Sequence, residues 1–396
     1  MKILVVMTHY PCPPRTGSAI LAYHTIKALA QRHRIHLVSA EEKDPGDLDG
    51  HVEKIEFAGR ERLPFFLKLA RYAFYSLRGW PAWLISSHSP EMNRRTAELV
   101  AGEHYDAILL YEITAIQYCP ESCYGKMVVN VEDPPSIKLG RMRKMGIWPF
   151  WKRMGLAILE KMTSKYERDV FPRLAGVLVL SEADSMDMRE LLGCSNIGHI
   201  PYGIDTMPQE RIVPNERRTE GMIVFSGNMH HPPNVDGALF LLRHILPLVL
   251  KHCPDAKLWI VGASPDRKIF EEAQAFGDHV AITGKVAELS EYIRRAMVSV
   301  CPVKLKIGVQ TKILEALSWG TPVVTTSAGN SGIRGSSGQD LWVEDDPELF
   351  ADRVVSLLGG ENWEKLSGNG WELASRQFSW ARSAALLEHY LEKAAD

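Results

Sequence analysis

The 396-residue chain is long enough for two domains of about 150 to 200 residues, and 45% of its residues are hydrophobic. Its net charge of −2 lacks the basic surplus that is typical of nucleic-acid-binding proteins, so no nucleic-acid partner is expected. Six scattered cysteines, with Cys119 and Cys123 as the close pair, lack the spacing of a zinc site. We expect reduced thiols and a cytoplasmic protein.

Strands and helices alternate through the first half of the chain. Apolar runs at residues 3–7, 35–38, 107–110, 127–131 and 176–180 predict strands, and Ala22, Ile26 and Leu29 have helical spacing after the first of them. The run at residues 3–7 is too short for a signal sequence. Such alternation is typical of a parallel sheet covered on both faces. It predicts a Rossmann-like domain over residues 1–203.

A change of composition marks the boundary with the second half. Residues 200–218 are rich in proline and charge and show no sustained apolar period. Apolar runs resume at residues 222–225, 257–261, 280–282, 298–302 and 322–325, with helical segments between them. We therefore expect a second Rossmann-like domain over residues 204–378, followed by one amphipathic helix over residues 379–396.

The segment at residues 301–322, CPVKLKIGVQTKILEALSWGTP, predicts a buried strand, a glycine turn and a helix that carries Lys312 and Glu315. Backbone amides at the start of such a helix, with Lys312 just inside it, suit a diphosphate. Glu315 could accept hydrogen bonds from ribose hydroxyls. The segment therefore predicts a nucleotide site, although an ordinary strand–helix unit would have a similar pattern.

This segment resembles the nucleotide-sugar signature of the family 4 retaining glycosyltransferases, also called glycosyl transferases group 1. Glu315 matches the second glutamate of that family's paired glutamates, and Ile307 stands at the position of the first. The order of residues from Gly308 to Ala316 resembles a subgroup linked to exopolysaccharide gene clusters. Further matches in order are VLVLSEADS (177–185), HIPYGID (199–205), FSGNMHHPPNVDG (225–237), WIVGASP (259–265) and TGKV (283–286).

The resemblance implies the GT-B fold, an α/β architecture of two Rossmann-like, doubly wound parallel-sheet domains facing a cleft, with the last helix returning to the N-terminal domain. It also implies a nucleoside-diphosphate sugar, of UDP or GDP, as donor substrate, and no cofactor. A metal is not expected, because His230 and His231 are adjacent and lack a third ligand. The expected donor-site residues are Gly227, Asn228, Gly262, Thr283, Gly284, Val286, Gly308, Gln310, Thr311, Lys312 and Glu315.

Acceptor contacts are expected from the N-terminal domain. Gly17 would open a helix after the first strand, in a loop that by resemblance faces both the donor phosphate and the acceptor, so Gly17 is also an expected donor-site residue. Arg15 could pair with an acceptor phosphate, although an exposed arginine is the simpler reading. Glu132 and Asp133 follow a strand, where they could contact a sugar or cap a loop. We take Asp133, together with Lys312 and Glu315, as the candidates for the catalytic centre.

Residues 60–83 and 141–153 interleave cationic and aromatic side chains, as in helices that lie on anionic lipid. Aromatic stripes also occur in helices that cover a sheet. No window reaches the roughly 18 to 20 uncharged apolar residues of a membrane-spanning helix. The sequence therefore allows peripheral contact with the inner face of the plasma membrane and predicts no spanning helix.

Together these features predict a retaining glycosyltransferase that moves a sugar from a nucleoside-diphosphate sugar to a saccharide or lipid-linked acceptor in cell-surface or exopolysaccharide biosynthesis. Three alternatives stay open. One is a nucleotide-sugar epimerase of similar fold, and another is a non-catalytic GT-B subunit of polysaccharide machinery, which Ile307 would favour. The third is an interaction module that binds no nucleotide.

Overall fold

The computed structural model describes residues 1–14, 16–41, 46–59, 65–77, 79–144, 148–206, 208, 212, 214–306 and 308–396. Arg15 and Ile307 lie outside these residues, as do parts of the two segments that interleave cationic and aromatic side chains. The chain divides into two compact units, of which the first is Met1–Gly203 with Trp380–Asp396 and the second is Ile204–Ser379.

The first unit is built on a parallel sheet of seven strands. They are β1 (Lys2–Met7), β2 (Arg34–Ser39), β3 (Lys54–Phe57), β4 (Ala107–Tyr111), β5 (Met127–Glu132), β6 (Gly176–Val179) and β7 (Ile197–His199). Their order across the sheet is β3-β2-β1-β4-β5-β6-β7, so β2 and β3 lie on one side of β1 and the later strands lie on its other side. The strand order therefore reverses at β1. Ligands of open α/β sheets bind beyond the carboxyl ends of strands at such a reversal.

Helices cover both faces of this sheet. They are α1 (Gly17–Leu29), α2 (Phe65–Leu77), α3 (Ala82–Ser86), α4 (Pro90–Gly102), α5 (Pro135–Lys144), α6 (Phe150–Val170) and α7 (Glu182–Leu192). Successive side chains of β1 point to opposite faces of the sheet, and helices pack on each face. Leu4 packs in one hydrophobic cluster with Met92 of α4. Its neighbour Ile3 packs in another cluster with Ile26 of α1.

The second unit repeats this plan around six parallel strands. They are β8 (Thr219–Ser226), β9 (Lys257–Val261), β10 (Val280–Gly284), β11 (Ala296–Cys301), β12 (Val323–Thr325) and β13 (Trp342–Val343), in the order β10-β9-β8-β11-β12-β13. The helices are α8 (Pro232–Phe240), α9 (Leu246–His252), α10 (Arg267–Ala273), α11 (Ser290–Arg295), α12 (Thr311–Ser318), α13 (Ser327–Asn330), α14 (Pro347–Leu358) and α15 (Trp363–Gln377). Two Rossmann-like, doubly wound parallel sheets confirm the predicted fold class.

The last helix, α16 (Trp380–Ala395), lies in the first unit and packs on α1 and β4. Its buried Leu387 and Leu391 complete the hydrophobic cluster around Ile3. The hydroxyl of Ser383 donates to the Pro201 carbonyl at 2.6 Å. The helix therefore covers the part of this sheet face that α1 does not cover.

A buried arginine holds the second sheet to α12. The guanidinium of Arg218, before β8, donates to the carbonyls of Ala296 (2.8 Å), Trp319 (3.1 Å) and Gly320 (3.2 Å) and to the Thr321 hydroxyl (2.7 Å). Burial lowers the pKa of Arg218 to about 10. These bonds fix the C-terminal end of α12 beside the first residue of β11.

Helices α8 and α9 are joined by a π-helical turn (Leu241–Ile245) into one continuous helix, Pro232–His252. In the part of the chain that the structure describes, this one helix is long and apolar enough to cross a membrane by length and composition. This test admits charged residues, and Pro232–His252 contains Asp236, Arg243 and Lys251, so the helix is not the uncharged apolar window that the sequence was expected to lack. Core helices of soluble proteins pass the same test. Here Leu242 and Val249 of this helix are fully buried in the hydrophobic cluster of the second unit.

Candidate nucleotide site

A cavity of about 430 Å³ lies in the second unit at the carboxyl ends of β8 and β9 and beside the start of α12. Eight of the residues predicted for the donor site line it: Gly227, Asn228, Gly262, Val286, Gln310, Thr311, Lys312 and Glu315. Parallel strands end on the same edge of the sheet, so segments more than 80 residues apart meet here. The cavity has the dimensions of a small-molecule site.

Two glycines form the floor of this cavity. Gly227 and Gly262 follow β8 and β9 with φ of 148° and 151°, a region that side chains rarely adopt. A Cβ on Gly262 would lie 1.7 Å from the Gly227 carbonyl oxygen. A Cβ on Gly227 would lie 2.7 Å from Nδ2 of Asn234 and 3.1 Å from Nζ of Lys312. The two loops can therefore approach each other and Lys312 only as glycines.

Lys312 brings a buried positive charge to the cavity wall. Its side chain is 9% exposed, its Nζ donates to Oδ1 of Asn234 at 2.5 Å, and it lies 4.7 Å from the centre of the Phe225 ring. Burial lowers the pKa of Lys312. Among the described residues, no carboxylate lies within 4.0 Å of this ammonium. Because the Lys312 ammonium is held by a neutral amide and not by a carboxylate, its positive charge is left to interact with an anionic ligand.

Asn234 was not predicted, and it organises this wall. Its Nδ2 donates to the Asn228 carbonyl at 2.9 Å while its Oδ1 accepts from Lys312. The Asn228 side chain accepts from the His230 amide at 3.1 Å, so it closes its own turn. The signal that could have found Asn234 is its position at the start of α8, directly after the glycine loop and Pro232.

Glu315 lies one turn into α12 and offers an acceptor to the cavity. No described residue donates a hydrogen bond to its carboxylate, and burial raises its pKa to about 7, with Lys312 opposing that shift. The side chain of Gln310, which precedes α12, does not cap it. The first amides of α12 are therefore available to an anion, close to both a cation and a carboxylate.

Three predicted donor-site residues of the second unit do not line the cavity. The Gly284 carbonyl accepts from the Gly262 amide at 3.2 Å, and the Thr283 hydroxyl donates to the same carbonyl at 2.9 Å. Both therefore support the glycine loop from behind. Gly308 is buried with φ of 52° before α12, and its carbonyl packs against Gly332. Lys285, which lines the cavity, was not predicted.

A second cavity, of about 610 Å³, lies in the first unit beyond the carboxyl ends of β1, β4 and β5. Glu112 and Glu132 line it with φ of 71° and 62°, a strained conformation for residues other than glycine. His9 Nδ1 lies 3.2 Å from the Glu112 carboxylate. Ser18 donates to one oxygen of Glu132 at 2.7 Å, and the other oxygen is buried and has no partner among the described residues. Burial raises the pKa of Glu132 to about 7.

Neither Asp133 nor Gly17 lines the cavity of the first unit. Asp133 pairs with Lys138 at 2.8 Å, and its neighbour Glu132, not Asp133, lines the cavity. Gly17 is the first residue of α1, whose N-cap is the Thr16 hydroxyl, and a Cβ there would meet open space. The sequence analysis named both Glu132 and Asp133, and the backbone turn at the end of β5, where Glu132 has a φ of 62°, decides which of them faces the cavity.

Among the described residues, no group of three or more His, Cys, Asp or Glu side chains could hold a metal ion. His231 lines the cavity of the second unit, and His230 does not. The donors that surround an anion there would be the Lys312 ammonium and backbone amides.

Residues 220–359 match the family model described as "Glycosyl transferases group 1". A protein of the cps region of Klebsiella pneumoniae, named as an uncharacterized 44.6 kDa protein, is 28% identical over 164 residues. That match covers 40% of this chain and 41% of the relative, so it spans about two fifths of the length of the curated protein.

Solved structures of similar fold extend over the whole chain. Sucrose-phosphate synthase from Thermosynechococcus elongatus aligns with a TM-score of 0.68 at 17% identity and covers 98% of both chains. TarM from S. aureus, solved with fondaparinux, alpha-GlcNAc-glycerol and UDP, aligns with a TM-score of 0.68 at 11% identity and covers 100% of both chains. HepE from Anabaena, solved with UDP and glucose, gives 0.64 at 13% identity over 99% of each. The chain thus has the GT-B fold, and its residues 220–359 are similar to the glycosyl transferases of group 1.

Proposed function

We propose that this protein is a retaining glycosyltransferase of family 4 that uses a nucleoside-diphosphate sugar as donor. The observation that carries the proposal is that a buried cation, Lys312, and a carboxylate that accepts no hydrogen bond from the described residues, Glu315, line one cavity at the open N-terminus of α12. A nucleoside diphosphate presents these groups with their complements, since it carries an anionic diphosphate and ribose hydroxyls. The match of residues 220–359 to a glycosyltransferase family supports the same assignment.

In this proposal the donor lies along the start of α12. The diphosphate would meet the Lys312 ammonium, the Thr311 hydroxyl and the first amides of α12. The Glu315 carboxylate would accept hydrogen bonds from the ribose, and Val286 would border the base. When the bond between sugar and phosphate breaks, negative charge grows on the diphosphate. Lys312 and the helix N-terminus are fixed in place to stabilise that charge without a metal ion.

The acceptor would be a saccharide or a lipid-linked saccharide, bound in the cavity of the first unit. Glu132 offers an acceptor oxygen there that none of the described residues satisfies, and Asp133 lies next to it in sequence. Retention of configuration places no demand on a strong protein base, because the departing phosphate can take the acceptor proton. We assign Glu132 to holding an acceptor hydroxyl, with Asp133 as a neighbouring charge.

The relatives favour UDP over GDP and a polysaccharide setting. TarM and HepE were both solved with UDP, and the Klebsiella pneumoniae relative comes from a cps region. We therefore propose a cytoplasmic enzyme of cell-surface or exopolysaccharide biosynthesis. The match of residues 220–359 to a glycosyltransferase family disfavours the epimerase alternative, which would need a paired acid and base at one sugar carbon.

Calorimetric titration with UDP and with GDP, each with and without magnesium, tests the donor site. We expect metal-independent binding of UDP that Glu315→Ala abolishes. Glu271→Ala serves as a matched control, because Glu271 is exposed on α10 and pairs with Arg267. Transfer is then assayed with UDP-sugars and saccharide acceptors. Absence of binding by either nucleotide would overturn the transferase assignment in favour of an interaction module. Binding without any transfer would favour a non-catalytic subunit.

A further inference from the structure

Helix α2 turns its apolar side away from the protein. Arg71 donates to the His88 carbonyl at 3.2 Å, and the Tyr75 ring stacks on Trp80 at 4.5 Å, so this polar side of the helix faces the first unit. None of the described residues of α2 is buried. Its exposed apolar side chains, between 36% and 66% accessible, are Phe66, Leu67, Leu69, Tyr72 and Phe74. An amphipathic helix that packs on a core normally has the opposite orientation.

The first half of α6 has the same character. Phe150, Trp151, Met154 and Ile158 are between 51% and 74% exposed, and they lie within about 100° of one another around the helix. The second half of α6 turns the opposite side inward, where Thr163, Glu167 and Val170 are buried. The helix is therefore anchored by its C-terminal half and presents an apolar surface from its N-terminal half.

Positive charge accompanies this apolar surface. Residues 134–159 contain six lysines and arginines and no acidic residue. Lys138, Arg141 and Arg143 are paired with carboxylates. In the part of the chain that the structure describes, Lys144, Lys152 and Arg153 have no carboxylate partner within 4.0 Å. The Lys152 ammonium lies 5.1 Å from the Trp148 ring and 5.4 Å from the Trp151 ring. Cations and aromatic rings alternate at the same place, which is the composition of interfacial helices.

We propose that the first unit binds the surface of an anionic bilayer through the exposed apolar sides of α2 and of the first half of α6. Aromatic side chains would lie at headgroup level, and Lys144, Lys152 and Arg153 would meet lipid phosphates. A second copy of this chain fits less well, because it would bring the same unpaired cations against these. This proposal does not rest on the nucleotide site. It would give the protein access to a lipid-linked acceptor.

Co-sedimentation with vesicles of phosphatidylcholine alone, or containing about 30% phosphatidylglycerol, tests the proposal. We expect wild-type protein to bind the anionic vesicles selectively and release them at high salt. The double variant Trp151→Gln/Met154→Gln should bind them about tenfold more weakly. The variant Lys152→Gln/Arg153→Gln should lose much of the selectivity. All these side chains are exposed or flank an exposed surface, so the fold and UDP binding should be unchanged.

Matched controls come from the second unit, where Phe270 and Leu349 are each 46% exposed. Phe270→Gln/Leu349→Gln should bind the vesicles as the wild type does. Failure of the wild type to bind anionic vesicles, or equal loss in this control, would overturn the proposal. A concentration-dependent dimer that Trp151→Gln/Met154→Gln converts to monomer, without vesicle binding, would assign the surface to a second copy. UDP titration of the same variants separates failure at this surface from failure of the proposed function.

Discussion

Nucleotide affinity should depend on pH through Glu315. Burial raises the pKa of this carboxyl to about 7, so the group changes charge within the ordinary working range. If the ionised form accepts the ribose hydroxyls, UDP binds only the fraction of protein in which Glu315 has lost its proton. About 90% of the protein meets this condition at pH 8, but only about 10% at pH 6. The dissociation constant for UDP should therefore rise about tenfold from pH 8 to pH 6.

Calorimetric titration of UDP at pH 6, 7 and 8, at constant ionic strength, measures this change. Glu315→Gln supplies the control, because its amide keeps an acceptor oxygen and the side-chain volume but carries no titrating proton. The terminal phosphate of UDP also takes up a proton near pH 6, and it affects both proteins equally. The difference between the two pH profiles therefore isolates Glu315.

The result depends on Lys312 keeping its charge over the same range. Burial lowers the pKa of Lys312, and loss of its proton at high pH would weaken binding in the opposite sense. Titration is therefore confined to pH 8 and below. Equal slopes for wild type and Glu315→Gln would refute the reasoning, because they would show that the ionised carboxylate takes no part in holding the nucleotide.

Three further predictions concern the fold around the sites. Gly262→Ala should abolish UDP binding and lower thermal stability, because its Cβ would lie 1.7 Å from the Gly227 carbonyl oxygen. The control Gly17→Ala, whose Cβ would meet open space, should leave both unchanged. Normal UDP binding by Gly262→Ala would contradict the role of the two glycines as the cavity floor. Arg218→Leu should lower the free energy of unfolding, measured with urea, by about 3 kcal/mol, because it strands buried carbonyls, and a loss under about 1 kcal/mol would show that water replaces the guanidinium. Glu167 is fully buried on α6, and burial raises its pKa in the folded protein to about 7, so its stabilising contribution is present below pH 4.5 and is lost as the pH rises to 7. Glu167→Gln should therefore raise the melting temperature at pH 8 and change it little at pH 4.5. An equal effect at both pH values would argue against a buried titrating carboxyl.

Much of the candidate nucleotide site could be predicted from the sequence, because its geometry is largely local. Lys312 and Glu315 are three residues apart, so any helix that begins near Thr311 places both near its N-terminus. Gly227 and Gly262 each follow a strand, and parallel strands end on one edge of their sheet. These relations require only secondary structure and the order of elements.

Other features depended on packing between distant segments. Asn234 holds the Lys312 ammonium across 78 positions of sequence, and its position at the start of α8 does not identify Lys312 as its partner. Glu132 and Asp133 are adjacent, and the backbone turn at the end of β5 decides which carboxylate faces the cavity. The raised pKa of Glu132 is likewise a property of burial, which the sequence does not state.

The periodic apolar pattern by itself determined the alternation of strands and helices, the parallel doubly wound sheets and the helix that carries Lys312 and Glu315, because these follow from local spacing. Only the tertiary structure decided which side of an amphipathic helix faces solvent. In α2 and the first half of α6, it is the apolar side. The physical reason is that periodicity defines the sides of a helix, whereas burial depends on whether another element, distant in sequence, packs against one of them.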